Sequence, residues 1–240
     1  MIVGDAGDGR LRLITQPDHA HLAGEILSLW RADFLPEHPR REELLFAVRE
    51  HDNGWREADS APRVDPATAR PMDFLSVPDS LRQEIWRRGV ERYRESRPYP
   101  AALIAEHALS LFGRAEGEGW PELLEKFKKN QDESLERSIR SREVLESDYA
   151  WLRLADDLSL WICTGRPDLE RPGRRGRRVG DAWELHPFPF AGATTFQIPC
   201  RHLRKGVYPG DASLAVAAAT ARWEEVPVRL RPPSTGTLAW

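Results

Sequence analysis

A change of hydrophobic rhythm near residue 165 divides this chain. Before it, apolar residues recur every three or four positions, the period of amphipathic helices. The spacing predicts helices over residues 19–30, 42–51, 81–93, 101–112, 121–140 and 142–163, the last two either separate or continuous. Gln16-Pro17-Asp18 marks the start of the first, because Pro suits the first turn and Asp a cap. Asn53-Gly54 closes the second. Residues 11–15 read as a short strand, and residues 56–80, with several prolines, as a long loop of a kind usually tied to function or disorder. Residues 165–180, GRPDLERPGRRGRRVG, lack any period and read as a loop or linker. Beyond them the stretches 182–185, 194–199 and 226–230 are strand-like, and the Ala-rich stretch 212–220 is compatible with either strand or helix. The expected fold is mainly α. A helical domain spans 1–165, an Arg/Gly/Pro-rich loop spans 166–180, and a β-rich extension spans 181–240. That extension holds too few apolar positions for its own core, so it is expected to pack on the helices.

Composition narrows the class. The chain has 240 residues, a net charge of −3, 40% hydrophobic and 30% charged residues. At about 150 residues per domain this is one to two globular domains, not a disordered chain. The near-neutral balance excludes the basic footprint of a nucleic-acid binder. The longest apolar run, residues 214–221, is far short of the roughly 20 residues that cross a bilayer. The opening MIVGDAGDGR has no apolar segment of signal-peptide type. Cys163 and Cys200 make no disulfide framework and no C-x-x-C knuckle. A cytoplasmic protein with a small-molecule partner is expected, with no nucleic acid and no membrane; a homodimer is one assembly open to it.

Four helices place a His or an Asp on an inward face. His19 shares a stripe with Leu22, Ala23 and Ile26, whereas His21 lies with Gly24, Glu25 and Ser28 on a polar one. His51 lines up with Leu44, Ala47 and Val48, and Asp52 with Leu45 and Val48. His107 sits among Leu103, Ile104 and Leu111. Asp156 interrupts an apolar stripe between Leu152 and Leu160, while Asp157 shares its side with Arg153 and can pair there. A buried carboxylate is costly unless paired or bound to a cation. Imidazoles and carboxylates on facing helices make an N/O cage for a divalent transition metal. A buried hydrogen-bond network without metal accounts for the same pattern. Trp55 is a candidate pocket wall, and Asp157 a second. Asp59 and Asp65 lie in the long loop and are expected to be solvated, as is the basic run Arg174, Arg175, Arg177 and Arg178. GDAGDG lacks the spacing of a dinucleotide fingerprint.

The order His19, His51-Asp52, Asp156 resembles the HD-domain superfamily of helical, metal-dependent phosphohydrolases, and LADDLSLW is similar to that family's closing helix. TQPDHAHLAG, AVREHDNGW, YPAALIAEHALSLF and ADDLSLWIC together resemble an uncharacterised bacterial family, domain of unknown function 3891. The resemblance implies an HD-like helical bundle in which His19, His51, Asp52 and Asp156 hold one divalent ion (Mn, Zn, Fe or Ni). It implies hydrolysis of a small phosphoester such as a nucleotide, with His107 as the catalytic residue that protonates the leaving group, or as a phosphate contact or second-metal ligand. The stretch from Asp52 to Asp156 is long for a compact HD domain and requires an insertion near residues 56–97. Two further readings stand beside this one. Some HD-type proteins bind two irons and use oxygen, and a non-catalytic scaffold would keep only the buried His/Asp network.

Overall fold

The structure, a computed structural model, describes residues 1–33 and 35–234; the final six residues of the expected C-terminal extension lie outside the described residues. The chain opens with a hairpin of β1 (Ile2–Asp5) and β2 (Arg10–Ile14). Helices α1 (Gln16–Ser28) and α2 (Arg41–Glu50) follow. The region expected to be a long loop carries a short helix, α3 (Arg56–Ser60), and a two-residue ladder of β3 (Val64–Asp65) with β4 (Arg70–Pro71). Then come α4 (Asp79–Glu91), α5 (Pro98–Phe112), α6 (Trp120–Ser138) and α7 (Arg142–Thr164). The chain continues as β5 (Asp168–Arg171), β6 (Arg174–Val179), β7 (Ala182–His186), β8 (Thr194–Arg204), α8 (Asp211–Thr220) and β9 (Trp223–Arg231).

Local chemistry sets the helix ends. The Asp18 amide donates to Thr15 Oγ1 at 3.1 Å, capping α1, and such a cap contributes about 1 kcal/mol. Ser141 caps α7, which ends at Gly165 in the left-handed conformation. Between α6 and α7 the backbone breaks at Ile139, an exposed β-branched residue with φ of 54°. The two helices are therefore separate, although no glycine marks the break.

The expectation of a mainly α, HD-like bundle with β structure confined to the C-terminus is overturned. Seven strands form one mixed sheet in the order β1-β2-β8-β9-β7-β6-β5, antiparallel except where β7 meets β9. The N-terminal hairpin belongs to it, with Leu11 opposite Leu203 and Leu13 opposite Arg201. The stretch read as an Arg/Gly/Pro-rich loop is the β5–β6 hairpin, closed by Pro172-Gly173 with Gly173 at φ of 71°. Its pattern is charged because it lies at a sheet edge with one face solvated; its inward pair is Leu169 opposite Gly176. A Cβ at Gly176 would lie 2.5 Å from the Trp161 ring, so only glycine admits this contact with α7. The ambiguous Ala-rich stretch is helix α8.

Helices and sheet share one core. Ile26, Leu44, Leu103 and Leu152 of α1, α2, α5 and α7 join Leu185, Ile198, Cys200 and Leu230 of the sheet in a single buried cluster. A second cluster, with Trp55, Ile85, Trp86, Trp120 and Phe127, lies where α4, α5 and α6 meet. The candidate site sits among α1, α2, α5 and α7, beside this second cluster.

Candidate metal centre

Five polar side chains meet inside this helical group. His19 projects from the second turn of α1. His51 caps the C-terminus of α2, and Asp52 opens the 3-10 turn Asn53–Trp55 that follows. His107 comes from α5 and Asp156 from the middle of α7. All five are more than nine-tenths buried, whereas His21 is exposed and Asp157 half-buried.

The turn that aims Asp52 is locked to α4. Asn53 Nδ2 donates to the carbonyls of Glu50, at 2.8 Å, and Gly89, at 3.1 Å. Gly54 lies so close to α4 that a Cβ there would be 2.0 Å from the Ile85 carbonyl oxygen. Asn53-Gly54 is thus a close-contact device as well as a helix stop.

The distances describe a convergence. His19 Nε2 lies 3.0 Å from Asp52 Oδ2 and 3.5 Å from Asp156 Oδ1. His51 Nε2 lies 3.3 Å from Asp156 Oδ1 and 3.6 Å from Asp52 Oδ2. His107 Nε2 is farther out, 3.9 Å from Asp156 Oδ2. Ligands about 2.1 Å from a common ion, at right or tetrahedral angles, stand roughly 3.0–3.4 Å from one another. The four His–Asp pairs, at 3.0–3.6 Å, lie close to that spacing.

Hydrogen bonds at the far sides of the rings settle which nitrogen faces inward. The Ser159 hydroxyl donates to the Asp156 carbonyl at 3.0 Å, so it accepts from His19 Nδ1 at 2.8 Å. His51 Nδ1 donates to the Val48 carbonyl at 2.8 Å. Each Nδ1 thereby carries a proton, and in the neutral ring Nε2 offers a lone pair toward the carboxylates. His51 Nε2 makes no hydrogen bond of good geometry, although the Asp156 carboxylate faces it at 3.3 Å. In the neutral ring this is a buried acceptor without a donor, a cost that a cation would remove and that a proton on Nε2 removes in the metal-free protein.

Electrostatics agree. Burial opposes charge on His51, but the Asp52 and Asp156 carboxylates outweigh it and push the imidazole up to about 9. Burial likewise opposes charge on Asp52 and Asp156, yet the surrounding histidines hold both below the usual carboxylate range. Burial pushes His107 down to about 4, despite the carboxylates nearby, so this ring is neutral at neutral pH. Two buried carboxylates match the charge of one divalent ion, and the neutral His107 suits a ligand or hydrogen-bonding role better than that of a stored proton. Two three-residue groups, His19/His51/Asp156 and His51/Asp52/His107, have the spacing for an ion. They share His51, whose one free lone pair serves one ion.

A cavity of about 270 Å³ opens beside the cluster, bounded by Asp52, His107 and Asp156 at one end and by Trp55 and Trp86 along its sides. Trp55 is among the residues that line it. Asp157 is not among the residues that line this cavity. It accepts from Arg171 of β5, at 2.6 and 2.7 Å, and not from Arg153. Asp59 is buried instead of solvated, and its carboxylate accepts from the Gln16 amide at the start of α1. The basic run is ordered on β6: Arg174 covers the Trp30 ring and Arg177 pairs with Glu184. Cys163 is a core residue whose thiol burial pushes up to about 12. Sequence reasoning missed Tyr149, whose hydroxyl lies 3.2 Å from His107 Nδ1. Its position seven residues before Asp156, on the same helix face, was the available signal.

A family model described as "Protein of unknown function (DUF3891)" matches residues 1–205. The chain belongs to this family. The matched stretch of the DUF3891 chain contains all five cluster residues as well as Trp55 and Trp86, and it stops before α8 and β9. No curated protein sequence matches the chain, and no solved structure does. Among the described residues no helix is long and apolar enough to cross a membrane.

Proposed function

We propose that the His/Asp cluster binds one divalent transition-metal ion and that the protein is a metal-dependent hydrolase of a small phosphoester. The observation that carries this reading is that two buried imidazole Nε2 atoms each lie 3.0–3.6 Å from one oxygen of Asp52 and one of Asp156. The donor set, two nitrogens and two carboxylates, suits manganese, zinc, iron or nickel. When bound, such an ion lowers the pKa of a coordinated water and polarises a phosphoryl oxygen. The chain's own groups supply the rest. Ser159 and the Val48 carbonyl fix the two rings with Nε2 inward. His107, neutral and held by Tyr149, stands at the cavity end, where it hydrogen-bonds the substrate. The order His19, His51-Asp52, Asp156 supports hydrolysis through its similarity to HD-type phosphohydrolases; the fold adds no support of its own.

The grouping of His51, Asp52 and His107 favours a second reading, an oxygen-using di-iron site. Two ions would have to divide the single His51 lone pair, so the one-ion reading is preferred. Elemental analysis of the full-length protein, purified without chelator in air and under nitrogen, tests both. About one equivalent of metal is expected, with Asp156→Asn lowering it by roughly tenfold or more, because a lost ligand weakens the site. Phosphatase activity on a panel of monoesters should fall with it. Two irons with oxygen consumption would move the assignment to the second reading. Absence of any transition metal at neutral pH, with Asp156→Asn as stable as the parent, would leave only a structural network.

A further inference from the structure

The cavity beside the cluster has two unlike ends. Its inner end is polar, with Asp52, Asp156, His107 and Gln16. Its body is aromatic: Trp55, Trp86, Phe74 and Phe112. Trp86 lies 5.5 Å from the Phe112 ring and 5.6 Å from the His107 ring, tilted in both pairs. At its mouth stand Leu75 and Leu111, exposed by 68% and 52%.

One cation, Arg82, is among the lining residues, and it is committed. It donates to Asp79 at 2.6 Å, to the Val77 carbonyl at 2.9 Å and to the Leu75 carbonyl at 3.3 Å, tying the segment before α4 to that helix. A substrate carrying several negative charges would find no counter-charge along these walls, and burying an uncompensated charge is costly. The aromatic body suits a flat ring, which can stack on or pack edge-to-face against Trp55, Trp86 and Phe112. A volume of about 270 Å³ is small for a ligand pocket and holds one or two fused rings. Two lining residues also keep a buried polar atom without a partner, Trp55 Nε1 as donor and Gln16 Oε1 as acceptor. A ring bearing a polar substituent would meet both needs.

We propose that this cavity receives an uncharged aryl group of the substrate, with the bond to be cleaved at the Asp52–Asp156 end. The substrate class is then an aryl monoester and not a nucleoside polyphosphate. The placement of the scissile group rests on the hydrolase reading; the aryl-binding cavity stands without it.

Titration calorimetry on the full-length protein separates the two. In the first arm, 1-naphthol is titrated into chelator-treated protein. Saturable binding at one site is expected, weakened about tenfold or more by Leu111→Glu and by Leu75→Glu, since each puts a charge at the apolar mouth. Both positions are exposed, so the variants should fold, and circular dichroism checks that they do. No binding of 1-naphthol, or binding unaltered in both variants, overturns the cavity assignment whatever the metal content. In the second arm, metal-loaded protein is titrated with 1-naphthylphosphonate, methylphosphonate and a non-hydrolysable nucleoside triphosphate analogue. The naphthyl compound should bind at least about tenfold tighter than either of the others, the gain expected from burying a ring. Equal or tighter binding of the triphosphate analogue overturns the substrate class. A protein that binds 1-naphthol but retains no metal overturns the hydrolase reading alone.

Discussion

His51 is the residue on which a proton and a metal would compete. Its folded-state pKa, about 9, lies above the ordinary imidazole value because two carboxylates face it. A raised pKa stabilises the folded state fully below the unfolded value, roughly 6.5, and that contribution fades as pH rises through about 9. The metal-free protein should therefore lose this part of its stability between those limits. Metal binding must expel the same proton. The melting-temperature difference between metal-loaded and metal-free protein should then grow across this window and level off above it. Thermal scans at matched free metal from pH 6 to 9.5 check the trend. Calorimetry in two buffers of different ionisation enthalpy should show about one proton released at pH 7.5. A metal-induced shift independent of pH would mean that His51 is not a ligand.

The turn after α2 shows how an element carries the site. Its position depends on Gly54, where a side chain would run into the Ile85 carbonyl and the Gly89 amide of α4. Gly54→Ala must push the turn off α4, and Asp52 and His51 move with it. A loss of about 1–3 kcal/mol of stability is expected, the usual cost of overpacking, together with weaker metal retention. Denaturant titration and elemental analysis measure the two effects; an unaltered midpoint would show that the turn is free to shift. The inward stripes of α1, α2, α5 and α7 were legible because helical period is local: four consecutive side chains decide which face a His or an Asp takes. The convergence of those faces was not legible. It depends on how helices distant in sequence cross, which no local pattern records. The edge hairpin β5–β6 hid for another reason. With one face in water its strands need few apolar residues, and Leu169 and Gly176 alone give no alternation to read.

At the scale of the whole molecule the sheet is held together by its last strand in chain order among the described residues. β9 lies between β8 and β7, antiparallel to one and parallel to the other. No period in the sequence announces that β1 and β2 pair with β8, since strand partners far apart leave no local trace; this is why a helical bundle with an appendage was expected. The family match ends at residue 205, just after β8. A chain cut there keeps every cluster residue yet lacks the strand that joins the two halves of the sheet. It should be prone to aggregation and unfold without a sharp transition, because two strand edges are left unpaired. Size-exclusion chromatography and a thermal scan test this; a monomeric, cooperatively melting chain of residues 1–205 would show that β9 is dispensable.

The central place of β9 also fixes an order of events during synthesis. Chains emerge from the ribosome at about 5–20 residues per second, N-terminal parts first. The helices that carry His19, His51, Asp52, His107 and Asp156 are complete long before β9 is made. Until it arrives, the His and Asp side chains of the cluster have beside them only a sheet that is open along its middle.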